Sequence, residues 1–355
     1  MGDAPQRPLG ARARALAREL APVWAAVLAV GLLGNLSLYG LWTTNPDGLW
    51  QDAGFVPYVF ERWQVSLGRW SLYLMSLLRG GVQAPPFISA VALSLFALGA
   101  VLFARALGVR GAPARAACAS AVVLSPMAGF SLSYYFSADL YGWALLTSTL
   151  AIALQLSGAW PRPARLAAGV CLFAFSFGCY QSTVGVSAGL AAAGLMLAAL
   201  DPAVGARRWR AALADCLAVG GAGAVLYVGV TRAVQAATGV ALASYGGADT
   251  ISVGKILASL PQTIPGTLRA WRDFLFGHAT FANNFGTPAV AAALAALGAV
   301  CFAVLLWRAR RSRARVAAAL AMAAVLPFAS GVICIVVPGT EVKSLMAGGF
   351  VSLAA

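Results

Sequence analysis

Charge is what this sequence lacks. Of its 355 residues only 10% are Asp, Glu, Lys or Arg while 61% are hydrophobic, and the mean hydropathy of +0.81 lies far outside the range of soluble domains. Histidine is nearly absent, and the lone His278 excludes a metal site built from a histidine cluster. The six cysteines (Cys118, Cys171, Cys179, Cys216, Cys301, Cys334) fall singly inside apolar runs, without the paired spacing of a metal or redox motif, so packing is their reading. No period-2 alternation is present that would build a barrel. No fixed-period repeat appears, and the two halves carry no matching short or Gly/Pro-broken spans, which argues against an inverted-repeat transporter.

What is there is a series of apolar runs, each close to the ~20 residues a helical span needs. They cover residues 21–42, 86–107, 116–134, about 138–157, 166–181, 183–200, 211–233, 288–307 and 316–337. The expected fold is therefore all-α, a polytopic membrane protein of about nine transmembrane helices. Residues 1–20 read as an Arg-bearing cytoplasmic leader (Arg7, Arg12, Arg14, Arg18). The first run, long and without a small-residue cleavage site, is expected to stay as a signal anchor. Residues 21–343 form one membrane domain, and 344–355 read as the start of a further apolar segment that stops halfway, an incomplete span or a membrane-dipping tail.

The net charge of +14 does not point to nucleic acid, because the basic residues sit in short clusters between apolar runs and not along one face beside stacking aromatics. They are topology signals. With the N-terminus inside, 17 of the 25 Lys and Arg residues fall on the cytoplasmic side. The two long connections, residues 44–84 and 234–284, then lie outside with most of the acids. Any chemistry is expected on that extracytoplasmic face, with the two loops meeting over one cavity.

Polar material is concentrated in the first long connection. Asn45-Pro46-Asp47-Gly48 is turn chemistry: Pro fixes φ, Gly supplies φ > 0, and the Asp47 carboxylate is held just where the chain leaves a span. Asp52, Glu61, Arg62, Arg69 and Arg79 follow within the same connection. Residues 55–78 are too polar to span a bilayer and too aromatic for a free loop, so they read as one or two amphipathic interfacial helices. Asp139, at the outer end of a span, needs a partner there, either Arg69 or Arg79, or a bound ligand. Tyr180-Gln181-Ser182 puts polar groups at a hairpin tip, where they bind a ligand or tie two helices together. His278, near Arg272 and Asp273, reads as an interfacial side chain. Trp42, Trp50, Trp63, Trp70 and Trp271 read as an aromatic belt or as stacking platforms.

Four of these motifs together, Asn45-Pro46-Asp47-Gly48, Gly68-Arg69-Trp70 after Trp63, the Ser-Tyr-Tyr-Phe-Ser-Ala-Asp run ending at Asp139, and Tyr180-Gln181-Ser182, resemble the GtrII-type bacterial glucosyltransferase family over roughly residues 33–200. The resemblance implies a GT-C-like fold in a bacterial inner (plasma) membrane. It implies an enzyme that takes a hexose from a polyprenyl-phosphate donor and places it on a cell-surface polysaccharide or lipid-linked glycan. It also implies a first-loop acid as catalytic base, a position Asp47 matches best. Asp47 and Asp52 lie five apart rather than adjacent, so a divalent metal is not supported by ligand spacing and no other cofactor is implied.

The chemistry of the residues agrees with this. Glycosyl transfer from a phosphate leaving group needs a base for the acceptor proton and cations for the departing phosphate. Asp47, with Asp52 or Glu61 behind it, supplies the base. Arg62 and Arg69, with Lys255, Arg269 or Arg272 from the second connection, supply the clamp, because guanidinium forks match phosphate oxygens. Asp139, Tyr180 and Gln181 are candidate substrate contacts. The structural alternative is that Asp47 closes a turn and the arginines meet lipid headgroups. Two rival functions differ in class. A flippase of lipid-linked sugars would carry charge at mid-span, whereas here the acids gather at outer ends; the other rival is a non-catalytic assembly subunit.

Overall fold

The computed structural model describes residues 9–36, 57–79, 85–134, 137–158, 160–244, 253–276, 288–337 and 349–350. These fold as helices, with no strand among the described residues. In chain order they are α1 (Leu9–Gly34), α2 (Pro57–Ser66), α3 (Trp70–Arg79), α4 (Pro85–Ala106), α5 (Ala112–Val123), α6 (Pro126–Ser133), α7 (Ala138–Ser157) and α8 (Arg162–Cys179). A single 3₁₀ turn (Gln181–Thr183) then leads to α9 (Val184–Leu200), α10 (Ala206–Thr238), α11 (Val253–Phe276), α12 (Pro288–Ala309), α13 (Arg313–Ser330) and α14 (Val332–Val336).

Seven of these helices are long and apolar enough to cross a membrane, or up to eight if the bent pair α5 and α6 makes one crossing. The chain is a polytopic membrane protein. The sequence reading of nine also counts α8, its fifth span, which begins with Arg162 and Arg165 and is not among the seven. Three further boundaries differ. The first helix begins at Leu9 and not at residue 21, since the Ala, Leu and Arg residues of 9–20 are strong helix formers. The third run breaks by 53° between α5 and α6, where Ser125 caps the new helix by accepting from the Ala128 N–H and Pro126 occupies its first position. The second long connection holds the 24-residue α11, despite Pro261 and Pro265 inside it.

The core is packed by small residues. A Cβ on Gly142 of α7 would meet the Ala92 carbonyl oxygen of α4 at 2.9 Å, and one on Gly99 would meet Leu146 backbone at 3.3 Å. Positions 92 and 99 thus face 142 and 146, so α4 and α7 run parallel and close, as small residues permit in membranes. Buried hydroxyls tie α7, α8 and α9 together. Ser176 Oγ donates to the Ala144 carbonyl at 2.8 Å and lies 2.8 Å from Thr183 Oγ1, while Ser187 Oγ donates to Ser148 Oγ at 3.1 Å.

Polar contacts sort the helix ends into two groups. At one end Glu19 accepts from Arg105 at 2.6 Å and Arg115 at 2.9 Å. The carboxylate of Asp215, 1% exposed, accepts from Arg162 at 2.8 Å and Arg165 at 3.0 Å. Arg208 donates to the Ser157 carbonyl and Arg315 to that of Pro202. Because α4 and α7 are parallel, Arg105 and Ser157 share that end, so the short basic connectors gather together. The opposite end holds the α2–α3 corner, the start of α7, the hairpin between α8 and α9, the end of α10, and α14. There Phe350 is buried with Phe274, Ile333 and Cys334, and Gly349 packs against Gly185 of α9.

Candidate active site

The site is organised by a sharp corner between α2 and α3. Gly68, at φ 74°, follows the end of α2. Its N–H donates to the Val65 carbonyl and that of Arg69 to the Gln64 carbonyl, both at 2.9 Å. This is the paired termination that a left-handed residue gives a helix, and it reverses the chain in two residues. Beyond it, α3 docks on α8: Ser71 Oγ donates to the Phe175 carbonyl at 2.9 Å, and the Trp70 ring meets Phe175 edge-on at 6.2 Å. Gly178 permits that approach, since a Cβ there would meet Trp70 ring carbon at 2.5 Å. Of the one or two helices expected over residues 55–78, two are present, α2 and α3, with α3 packed into the protein through Trp70, Ser71 and Leu72.

Arg69 leaves this corner toward the hairpin tip. Its guanidinium donates to Gln64 Oε1 at 3.2 Å and lies over the Tyr180 ring, 4.9 Å from its centroid. Its Nε is buried and has no hydrogen-bond partner among the described residues, and the same holds for the adjacent Trp70 Nε1. Tyr180 meets Tyr141 edge-on at 5.1 Å, and Tyr141 meets Tyr134 at 6.2 Å. Burial raises the Tyr180 phenol above its usual pKa, with Tyr141 adding to this and Arg69 opposing it, so the group stays a neutral hydrogen-bond donor. Asp139 opens α7, is 6% exposed, and lies at the same end of the bundle as Cys179, the last residue of α8. A guanidinium over an aromatic ring, with two further phenols behind it, is chemistry that suits an anion.

The sequence-predicted residues divide. Arg69, Tyr180 and Gln181 are brought together, with Asp139 at the same end of the bundle. No ion pair joins Asp139 to Arg69 among the described residues. Gln181 serves the alternative role of a tie, since its Nε2 donates to the Leu67 carbonyl at 2.6 Å and to Tyr227 Oη at 3.0 Å. Arg62 is exposed and reaches the Thr238 carbonyl at 3.5 Å, and Ala243 N–H donates to the Ser66 carbonyl at 2.9 Å, so α2 meets the start of the second connection. Lys255, Arg269 and Arg272 lie exposed on α11, which packs on α12, α13 and α14. Arg272 is engaged by Asp273 at 2.7 Å, and Arg269 donates to the Pro265 carbonyl of its own helix at 3.4 Å. Glu61 lies on α2, with its side chain outside the described residues, as are Asp47, Asp52 and His278 altogether. Tyr141, Tyr227 and Gln64 were not singled out from sequence. Of these, Tyr227, a tyrosine in the apolar middle stretch of α10, carried a signal.

No curated protein and no solved structure matches the chain. A family model described as Glucosyl transferase GtrII matches residues 51–354. The match spans the α2–α3 corner, Asp52, Glu61, Asp139 and the Tyr180-Gln181 tip, begins after Asp47, and continues well beyond residue 200, where the motifs end. The chain therefore belongs to the GtrII glucosyl transferase family and is a membrane glycosyltransferase.

Proposed function

We propose that this enzyme moves glucose from a polyprenyl-phosphate donor to a glycan at the outer face of a bacterial plasma membrane, either a cell-surface polysaccharide such as an O-antigen or a lipid-linked glycan. In this reading the N-terminus is cytoplasmic and α8 makes a further crossing, giving nine. The basic connectors gathered at one end of the bundle support that orientation, since 17 of 25 Lys and Arg residues then lie inside.

Arg69 is the observation that carries the reading. It is a half-buried guanidinium with an unmatched buried Nε, set against an aromatic floor and without a carboxylate partner among the described residues. A cation withdrawn from water without a counter-charge is costly, and a phosphate supplies both charge and acceptor oxygens in the matching fork geometry. In the transfer step the acceptor hydroxyl oxygen bonds to the anomeric carbon as the anomeric C–O bond to phosphate breaks. Polyprenyl phosphate departs with the electron pair. Asp47 takes the acceptor proton, with Asp52 and Glu61 as the other carboxylates of the same connection. Arg69 and Arg62 hold the phosphate, and Asp139 and Tyr180 line the sugar. Of the second-connection cations, Lys255, Arg269 and Arg272 are the candidates for the clamp, since all three lie exposed on α11.

Mass spectrometry of surface polysaccharide from cells with and without the gene tests this reading. Loss of one hexose is expected; an unchanged glycan overturns it. In reconstituted enzyme, Arg69→Lys keeps the charge and loses the fork, so donor KM rises more than acceptor KM. An equal effect on both substrates removes Arg69 from the donor site.

A further inference from the structure

Tyr227 lies in α10, more than 150 residues along the chain from the corner it touches. Its ring packs edge-on against Phe177 at 4.7 Å, its carbonyl accepts from Thr231 Oγ1 at 2.7 Å, and its hydroxyl accepts from Gln181 Nε2 at 3.0 Å. The second hydrogen of that amide goes to the Leu67 carbonyl at 2.6 Å. A carbonyl only accepts, so the NH₂ side of Gln181 must face the corner, and the amide orientation is fixed. Leu67 directly precedes Gly68, whose absent Cβ leaves room for this arrangement: a Cβ there would lie 2.6 Å from Tyr227 Oη and 3.3 Å from Gln181 Nε2. Two residues on, Arg69 lies over Tyr180, the immediate neighbour of Gln181. The guanidinium and the ring beneath it are thus fixed to one another through a single amide, which α10 holds from behind.

We propose that Tyr227 and Gln181 form a positioning clamp for Arg69: Tyr227 Oη orients the Gln181 amide, Gln181 holds the Leu67-Gly68 corner, and the corner aims Arg69 at the donor phosphate. The proposal rests on the reading of Arg69 as a phosphate ligand. Neither Tyr227 nor Gln181 need touch the reacting atoms. Because the clamp acts on how well the phosphate is held and not on the base, its loss weakens donor binding and leaves the chemical step nearly unchanged.

The test uses the full-length protein in lipid nanodiscs, with polyprenyl-phosphate glucose as donor. Tyr227→Phe keeps the ring on Phe177 and removes only the hydroxyl. Gln181→Met keeps approximate volume and removes both donors. Two readouts are taken. Hydrogen exchange measures the Gly68 and Arg69 amides, which are protected by their bonds to Val65 and Gln64. Initial rates give donor KM and kcat. Loss of one or two hydrogen bonds is worth about five- to thirty-fold in an equilibrium. Exchange at residues 64–72 is therefore expected to rise by that order in both variants, with the rest of the bundle unchanged. Donor KM should rise likewise, with kcat within about two-fold. In an Arg69→Ala background Tyr227→Phe should add nothing further to donor KM, since it acts through Arg69. Unchanged exchange in both variants overturns the clamp. So does raised exchange with unchanged donor KM while Arg69→Ala alone raises it, or additive effects in the double variant. If exchange rises but Arg69→Ala leaves donor KM untouched, the clamp on the corner stands and the phosphate role of Arg69 falls.

Discussion

Replacing Gly68 by alanine adds one methyl group, and the structure allows its cost to be worked out. At φ 74° the residue is in the left-handed region, where a Cβ costs roughly 1–2 kcal/mol. The new Cβ would lie 2.6 Å from Tyr227 Oη, closer than real contacts allow, and a tight 3.3 Å from Gln181 Nε2, so the bonded pair must give way. Losing one or both Gln181 hydrogen bonds adds about 1 kcal/mol each. The docked corner is therefore destabilised by about 2–4 kcal/mol in total, about 30- to 1,000-fold in the equilibrium between docked and undocked Arg69. Gly108 provides the internal control. It too has positive φ, at 79°, but nothing lies within 4 Å of an added Cβ, so Gly108→Ala meets the conformational cost alone and does so at the other end of the bundle. Thermal unfolding, donor KM and hydrogen exchange at residues 64–72 are measured on both variants. Gly68→Ala is expected to raise donor KM at least ten-fold and Gly108→Ala to leave it unchanged. Equal effects of the two on donor KM refute the reasoning, because they would show that crowding against Tyr227 and Gln181 does not matter.

The catalytic base is tested by Asp47→Asn, Asp52→Asn and Glu61→Gln in parallel: loss of general-base help costs about 10²–10⁴-fold in kcat, and Asp47→Asn is expected to show it while expression is unchanged. Near-normal transfer by Asp47→Asn together with loss in Asp52→Asn moves the base to the carboxylate inside the family match; indifference of all three removes it from this connection. Cysteines introduced at Gln51 and Thr280 are expected to react with an impermeant reagent in intact cells, and protection of both overturns the orientation. At the opposite end, Asp215→Ala strips the partner from Arg165, whose side chain is only 12% exposed, and breaking such a buried pair is expected to destabilise by about 3–5 kcal/mol. A melting temperature equal to wild type in detergent refutes that pair as a structural tie between α8 and α10.

The sequence by itself determined the solvent this chain folds in. Apolar runs of span length with almost no interior charge permit only helices that satisfy their own backbone, and the all-helical result follows from that constraint alone. Arginine placement was legible for the same reason. Charges are expelled to helix ends, so Arg105, Arg162, Arg208 and Arg315 read as connectors, and their partners Glu19, Asp215 and the carbonyls of Ser157 and Pro202 gather with them. The motif residues were visible too, because Arg69, Asp139, Tyr180 and Gln181 are polar groups where hydropathy predicts none. Helix boundaries were less so. The break at Ser125-Pro126 follows the local capping signal, whereas the long α11 runs through Pro261 and Pro265 against what proline signals locally.

Only the tertiary structure decided which of these polar groups meet. Hydropathy reports that a side chain leaves water and says nothing of what it meets instead. In a bundle whose helices are apolar on all sides, rotation and neighbour choice come from close packing at small residues such as Gly99, Gly142 and Gly178. That packing laid the α2–α3 corner on the α8–α9 tip, placed Arg69 over Tyr180, and brought Tyr227 from α10 behind Gln181. It also set α11, which carries Lys255, Arg269 and Arg272, beside α12, α13 and α14, with Arg272 on Asp273. A hydrogen bond forms over about 3 Å with a fixed direction, and residues more than 100 positions apart reach that distance only once every helix between them has been placed.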